Sequence, residues 1–411
     1  MDLITKTMFE RYEGVNYFSK AEYERRYRLV RSVMKDQGVD LLLILNASDW
    51  GYDLWLSGWT PAETIVVPPE GEILISHVHE FDTGLLGPGH REDITNVSEP
   101  SLNPYQAGLR YKEYLMDDEI AGIIARYSPK VIGLTNEREL TFKLKTFIED
   151  AVPGVKFKDI TVELDYERIV KSEEELSAYR ETARIQDELI DMFPAIMWAG
   201  RSLSDIVADM RRVILKTGAG INHLHFFGRG MTSIDFHGPE YRLKKGDFGA
   251  FMFEFSGPGN CALATMTPFV VGEPKPYDEA MYEACEKTNA YLCRIMKAGR
   301  SLADVGKEVQ AYARSLGYDA PDQLTGHSTG YFYYERLSTE DDTIYLPLKE
   351  NMLFGAPGFF ADKNGNGLFG LSGLYGDPNT PFIWGTGGIS VVGKDFSTPL
   401  MKSHEKLIQI I

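Results

Sequence analysis

The most chemically pointed feature of the sequence is one carboxylate inside an apolar run, Glu254 in Phe251-Met252-Phe253-Glu254-Phe255. On a strand, alternation would place Met252 and Glu254 on one face and Phe253 and Phe255 on the other. Burial among such neighbours would raise a carboxylate's pKa toward the range useful to a general base. A base that activates water needs a partner to protonate the departing group, and histidine is the usual choice. His327 is flanked by glycines in Gly326-His327-Ser328-Thr329-Gly330, which would let backbone approach a ligand. His237 lies in Asp235-Phe236-His237-Gly238-Pro239, and His223 and His225 alternate along an apparent strand and so share a face, as a residual metal pair would. Arg336 follows the aromatic run Tyr331 to Tyr334; its guanidinium could grip a substrate carboxylate in bidentate fashion or pair with its neighbour Glu335. Trp50, Trp55 and Trp59 offer ring faces suited to a cationic group, or to a core. Asp362 to Gly367 begins like a calcium loop but lacks the closing glutamate and reads as a surface turn.

These residues must be held by elements, and the chain shows them. Ser19 to Gly38 reads as a helix capped by Ser19. Asp40 to Leu45 is a continuous apolar run expected as a buried strand, and Thr64 to Val67 with Glu72 to Ser76 flank the turn Pro68-Pro69-Glu70-Gly71 as a hairpin. Val131 to Gly133 reads as a further strand and Glu137 to Glu149 as a helix. The expected result is an α/β domain with a mixed sheet over residues 1–165, ending near Asp165, and a second domain over 166–411. That second part repeats itself: Ala199-Gly200-Arg201-Ser202-Leu203-Ser204-Asp205-Ile206 recurs as Ala298-Gly299-Arg300-Ser301-Leu302-Ala303-Asp304-Val305. In each copy a glycine ends one helix and a serine begins the next, with an aspartate at capping distance. Strand-rich sequence follows each copy, at Asp247 to Phe255 and Pro268 to Gly272, then at Met352 to Phe360 and Ile389 to Gly393. Two α-plus-β halves related by a pseudo-twofold would share one curved sheet, with the site in its concave face.

Composition limits the partners. The 411 residues are 43% hydrophobic and 25% charged, which fits a folded two-domain protein rather than a disordered one. A formal net charge of −17 opposes binding to a phosphate backbone, so no nucleic acid is expected. No stretch has the apolar length of a membrane span and no leader pattern opens the chain, so the expected location is cytoplasmic, away from membranes. Cys261, Cys285 and Cys293 lack zinc-ligand spacing and are expected as free thiols.

The repeat and its landmarks resemble the creatinase, prolidase and methionine-aminopeptidase superfamily, whose fold is called pita-bread. Ile169-Val170-Lys171-Ser172-Glu173-Glu174-Glu175 looks like that family's entry into its catalytic domain. Lys244-Lys245-Gly246-Asp247 looks like its turn before the first central strand, Phe269 to Pro274 like the end of the second, and Gly326 to Gly330 like its Gly-His-x-x-Gly segment. The resemblance covers roughly 240 residues. It implies a creatinase-type α/β N-terminal domain ahead of the pita-bread domain. In metal-dependent members two Asp, one His and two Glu hold two ions. Here the resemblance puts His327 at the histidine, Phe253 or Glu254 at the first Asp, Ala264 at the second, Ala356 at the first Glu and Gly387 or Gly388 at the last.

That pattern implies no metal and no other cofactor, and is similar to the metal-free creatinase and ectoine hydrolase branch. The expected activity is hydrolysis of a C–N bond in a small amidine, guanidino or cyclic-amide compound, as an amidinohydrolase would perform it. Glu254 would attack or activate water, His237 would shuttle the proton, His327 would orient the substrate, and Arg336 with Glu335 would bind it. Trp59 belongs to a segment that, by resemblance, reaches over a partner subunit's site, so a homodimer is expected. The alternatives are an Xaa-Pro metallopeptidase, a lyase on a small zwitterion, and a catalytically silent homologue that binds a metabolite.

Overall fold

The computed structural model describes residues 18–58, 62–77, 109–112, 115–217, 219–228, 241–318, 326–331, 335–338, 342–355, 358–360, 384–402 and 405–411. Two compact units emerge, one closing at Arg168 and the other running from Ile169 to Ile411.

In the first unit α1 (Lys20–Asp36) begins where the Ser19 hydroxyl accepts the Glu22 amide and ends ahead of Gly38, which has a positive φ. The uniformly apolar β1 (Leu41–Leu45) is buried along its length. It is therefore central, as a strand covered on both faces must be. β2 (Ala62–Val67) and β3 (Ile73–His77) form the expected hairpin around Gly71, whose φ of 88° only glycine adopts freely. After the short α2 (Tyr52–Ser57) and beyond the hairpin come β4 (Leu109–Lys112), α3 (Asp117–Ala125) and β5 (Val131–Thr135). The expected helix from Glu137 starts later, as α4 (Phe142–Ala151), because the Thr141 hydroxyl caps it through the Leu144 amide while Glu137–Glu139 form a single 3-10 turn. β6 (Lys156–Asp159) and α5 (Thr161–Arg168) complete the unit. The sheet order is β4-β3-β2-β1-β5-β6, with β1–β2 and β2–β3 antiparallel and the other pairs parallel.

Trp55 is fully buried in this unit. Its carbonyl accepts from Arg26 at 2.7 Å, and it lies near Arg168, whose guanidinium stacks 4.1 Å from the Tyr52 ring centroid. Trp55 is thus part of the core and cannot present its ring to a ligand. Trp59 lies outside the described residues.

The second unit bears out the repeat at the level of individual bonds. α6 (Glu173–Met192) precedes α7 (Leu203–Leu215) in the first half; α8 (Pro276–Ile295) precedes α9 (Leu302–Ser315) in the second. Ser202 caps α7 through the Asp205 amide and Ser301 caps α9 through the Asp304 amide. Gly200 and Gly299 both have positive φ. Arg201 reaches the Ile196 carbonyl and Asp209; Arg300 reaches the Ile295 carbonyl and Glu308. An arginine bonded to a carbonyl five residues back and an acid eight residues on, twice, fixes the helix-to-helix angle in the same way in both halves.

The strands of this unit are β7 (Gly220–Gly228), β8 (Phe248–Ser256), β9 (Ala262–Val271), β10 (His327–Ser328), β11 (Glu335–Ser338), β12 (Leu353–Gly355), β13 (Gly358–Phe360), β14 (Trp384–Val392), β15 (Ser397–Pro399) and β16 (Ile408–Ile410). Their order is β11-β10-β12-β14-β9-β8-β7, with β13 and β15 on β14 and β16 on β9. The two halves therefore join where β9 meets β14, the last long strand of each. Among the described residues no helix is long and apolar enough to cross a membrane.

Candidate active site

β8 carries Glu254, and its opposite face explains why the strand is rigid there. Phe251 and Phe253 stack edge-on against Phe193, Phe253 lies 5.1 Å from Phe255, and the Gln186 side chain donates to the Phe253 carbonyl at 2.8 Å. Those aromatics bury one face of β8 against α6 and the turn after it. Alternation then turns Met252 and Glu254 to the other face, as the sequence pattern requires.

Register assembles the rest. Glu254 is opposite Ala264 and Met252 opposite Met266 on β9; Met266 is opposite Gly387 on β14; Ile389 is opposite Gly355 on β12; and Gly355 is opposite His327 on β10. Directly paired residues share a face, so this chain of partners defines one surface across five strands. A pocket of about 70 Å³ opens there, lined by Met252, Glu254, Ala264, Thr265, Met266, His327, Gly355, Gly387, Gly388 and Ile389. It has room for a reacting group and solvent rather than a whole dipeptide. Two residues read from sequence as catalytic, Glu254 and His327, are thus brought together from positions 73 apart in the chain. Glu254 is 4% exposed. The His327 Nδ1 lies 2.9 Å from the Ser328 carbonyl, which can only accept, so Nδ1 is the donor in that bond.

The other candidates fare differently. His237 lies outside the described residues, as do Ala356 and the loop 362–367. On β7 the backbone register sets His223 opposite Glu254 and His225 opposite Met252. Arg336 is half-buried on β11 and does not line the pocket. Glu335 requires a correction: it is completely buried, with Lys171 at 2.8 Å and the Tyr331 amide at 3.0 Å. Lys171 is also fully buried, and the Tyr331 hydroxyl donates to Glu175, which closes the capping box of α6. Glu335 therefore clamps the start of the domain to the segment after His327, and its carboxylate is committed to the interior rather than to substrate.

The flanking glycines change meaning too. A Cβ on Gly330 would fall 1.9 Å from Glu335 Oε1, and one on Gly326 would fall 2.3 Å from the Gly355 carbonyl. Both are small because protein packs against them, so ligand approach does not account for them. The clamp left no signal in local pattern, since its partners are 164 residues apart.

A second cavity, about 260 Å³, lies between α8 and β14 and shares only Gly387 and Gly388 with the pocket. Larger as it is, it holds neither Glu254 nor His327. Cys293 lines it, and burial raises that thiol's pKa, as burial also does for Cys285. None of the three cysteines is in a disulfide.

Comparisons with known proteins bear on the second unit above all. Residues 177–375 match the model described as Metallopeptidase family M24. YkvY of Bacillus subtilis (strain 168), whose name assigns it provisionally as a dipeptidase, is 25% identical over 225 residues; the match spans 53% of this chain and 61% of that relative's length. The fold is that of the X-Pro aminopeptidase from Thermotoga maritima MSB8, with a TM-score of 0.73 at 17% identity over 93% of this chain and 99% of the other. It is also that of dipeptidase PepE from Mycobacterium ulcerans, with a TM-score of 0.70 at 18% identity over 96% and 99%. A metallopeptidase model implies a metal, and the donors among the described residues do not fit a pair of ions. Among the described residues no three His, Cys, Asp or Glu side chains are grouped to hold one, and the pocket offers Glu254 and His327 beside Ala264, Gly387 and Gly388.

Proposed function

We propose that this chain, an α/β protein whose second unit is an M24 pita-bread domain, hydrolyses a C–N bond in a dipeptide-sized substrate by acid–base chemistry of its own side chains. The observation that carries the reading is the pocket in which β8 presents buried Glu254 and β10 presents His327 on one face. The relatives carry the names of a dipeptidase, assigned provisionally in YkvY, and of an X-Pro aminopeptidase, which favours an amide of the Xaa-Pro or dipeptide kind over the guanidino and cyclic-amide substrates of the creatinase and ectoine hydrolase branch. The single carboxylate and single imidazole among the described residues of the pocket argue against the metal-dependent form of that chemistry.

In this proposal Glu254 takes a proton from water as the oxygen adds to the carbonyl carbon. The C–N bond then breaks, and the departing nitrogen receives a proton through His237. His327 orients the substrate or the water. Arg336 holds a terminal carboxylate. Trp59 covers the site from a second subunit, so the active form is a homodimer. Sedimentation at micromolar concentration should give twice the chain mass; an active monomer would remove the role of Trp59 in trans.

The test is a substrate panel of Xaa-Pro dipeptides, other dipeptides, creatine and ectoine, followed by chromatography of the released amine in the presence of EDTA. Turnover of a dipeptide is expected. Hydrolysis confined to creatine or ectoine would move the substrate class to the other branch. Saturable thermal shifts without turnover of any member would overturn the enzyme reading in favour of a binding protein.

A further inference from the structure

We infer that the strand β14 has closed this site to a second metal ion through its backbone, so that the donor lost there is not recoverable by restoring a carboxylate. Two consecutive residues of β14 border the pocket, and register distinguishes them. Gly387 is opposite Met266 and shares the face of Glu254, whereas Gly388 is opposite Thr265 and belongs to the other face. Gly387 is therefore the position from which a side chain would enter the pocket, and its φ is 151°. L-residues rarely adopt that region, so a carboxylate placed there meets strain before it meets a metal. The Thr265 hydroxyl donates to the Gly387 carbonyl at 3.0 Å and holds the peptide in this conformation.

The neighbouring positions do not substitute for it. A Cβ on Gly388 would lie 2.6 Å from Met401 Cε, next to the Thr265 hydroxyl and turned from Glu254. A Cβ on Gly355 would lie 2.4 Å from Ile389 Cδ1, so a side chain there requires the end of Ile389 to turn aside from the pocket wall. Among the pocket-lining positions on the Glu254 face, Ala264 is a small residue of ordinary strand conformation directly opposite Glu254. One carboxylate could return there, whereas one at Gly387 meets the backbone strain. The inference thus deepens the proposed function: it makes that chemistry independent of a dinuclear centre for a reason built into the fold.

Its test reads metal and stability rather than turnover, so it can fail separately from the hydrolase reading. Elemental analysis of the full chain, purified without chelator from medium supplemented with manganese, cobalt and zinc, should find no more than one equivalent of metal in total. Two tightly held equivalents, lost to EDTA with a fall in melting temperature, would overturn the inference even if the substrate panel succeeds. The double variant Ala264→Asp/Gly387→Glu, titrated with manganese and with zinc, should take up at most one ion; uptake of two would overturn it. Because that variant could fail to fold, Gly387→Ala provides a separate measure. An alanine that fits a strand stabilises relative to glycine by reducing the freedom of the unfolded chain, and one forced to a positive φ destabilises. The expected result is a melting temperature lower by roughly 2–10 °C. An unchanged or raised melting temperature would show that β14 accepts side chains at this position and would overturn the inference.

Discussion

Glu254→Gln is expected to lower turnover by about 10²–10⁴-fold on whichever substrate the panel identifies, with an unchanged melting temperature to within a few degrees. The amide fills the same space and the strand is held from its other face, where Phe193 packs on Phe251 and Phe253 and Gln186 binds the Phe253 carbonyl. Position is therefore preserved while the capacity to accept a proton is lost. Glu254→Ala would be a poorer test, because it enlarges a pocket whose walls are already glycine and alanine at four places. The measurement is kcat with a thermal melt on the same sample. Turnover at the wild-type rate in Glu254→Gln would remove this residue from the chemistry and with it the proposed mechanism.

The largest effect on stability is expected at the buried clamp. Lys171→Met leaves the Glu335 carboxylate fully buried opposite an apolar side chain, and breaking such a pair from one side costs about 3–5 kcal/mol. For a unit of this size that corresponds to a fall of roughly 6–20 °C in melting temperature. In the double variant Lys171→Met/Glu335→Gln much of the loss should return, since the charge is gone while an amide oxygen remains to accept from the Tyr331 amide. Calorimetry on the two variants would show it. If Lys171→Met melts with the wild type, or if Glu335→Gln alone abolishes turnover with no change in stability, then Glu335 serves the substrate after all and its assignment to the interior is wrong.

Much of the fold was open to reading because it is specified locally. The helix beginning at Lys20, the buried strand Leu41–Leu45 and the hairpin around Gly71 each follow from a cap, an apolar run or a turn residue within a few positions. The duplication around Ser202 and Ser301 was equally plain, because the same capping chemistry is written twice. Even the start of α4, set at Phe142 by Thr141 rather than at Glu137, is a local decision between two capping options. The orientation of Glu254 belongs with these, since period-two alternation in β8 needs only the run Phe251–Phe255 to be stated.

What the sequence could not decide is which distant residues those local elements would bring into contact. Gly326 and Gly330 carried the same letter that a ligand-binding loop would, yet the space beside them is filled by the Gly355 carbonyl and the Glu335 carboxylate. Trp55 had the aromatic face of a binding residue and is enclosed in the core of the first unit. Glu335 stood next to Arg336 as a substrate contact would, and only the approach of Lys171 from the start of the domain shows that its charge is already balanced. The sequence by itself determined the elements, the repeat and the face of each strand, because capping, alternation and turn chemistry act over a few residues. The resemblance had set Glu254, Ala264, Gly387 and His327 at one site, but the tertiary structure decided the register that joins them through Gly355 in one pocket and chose Glu254 over Phe253 and Gly387 over Gly388 for its face, because register is set by how whole strands pack and pair.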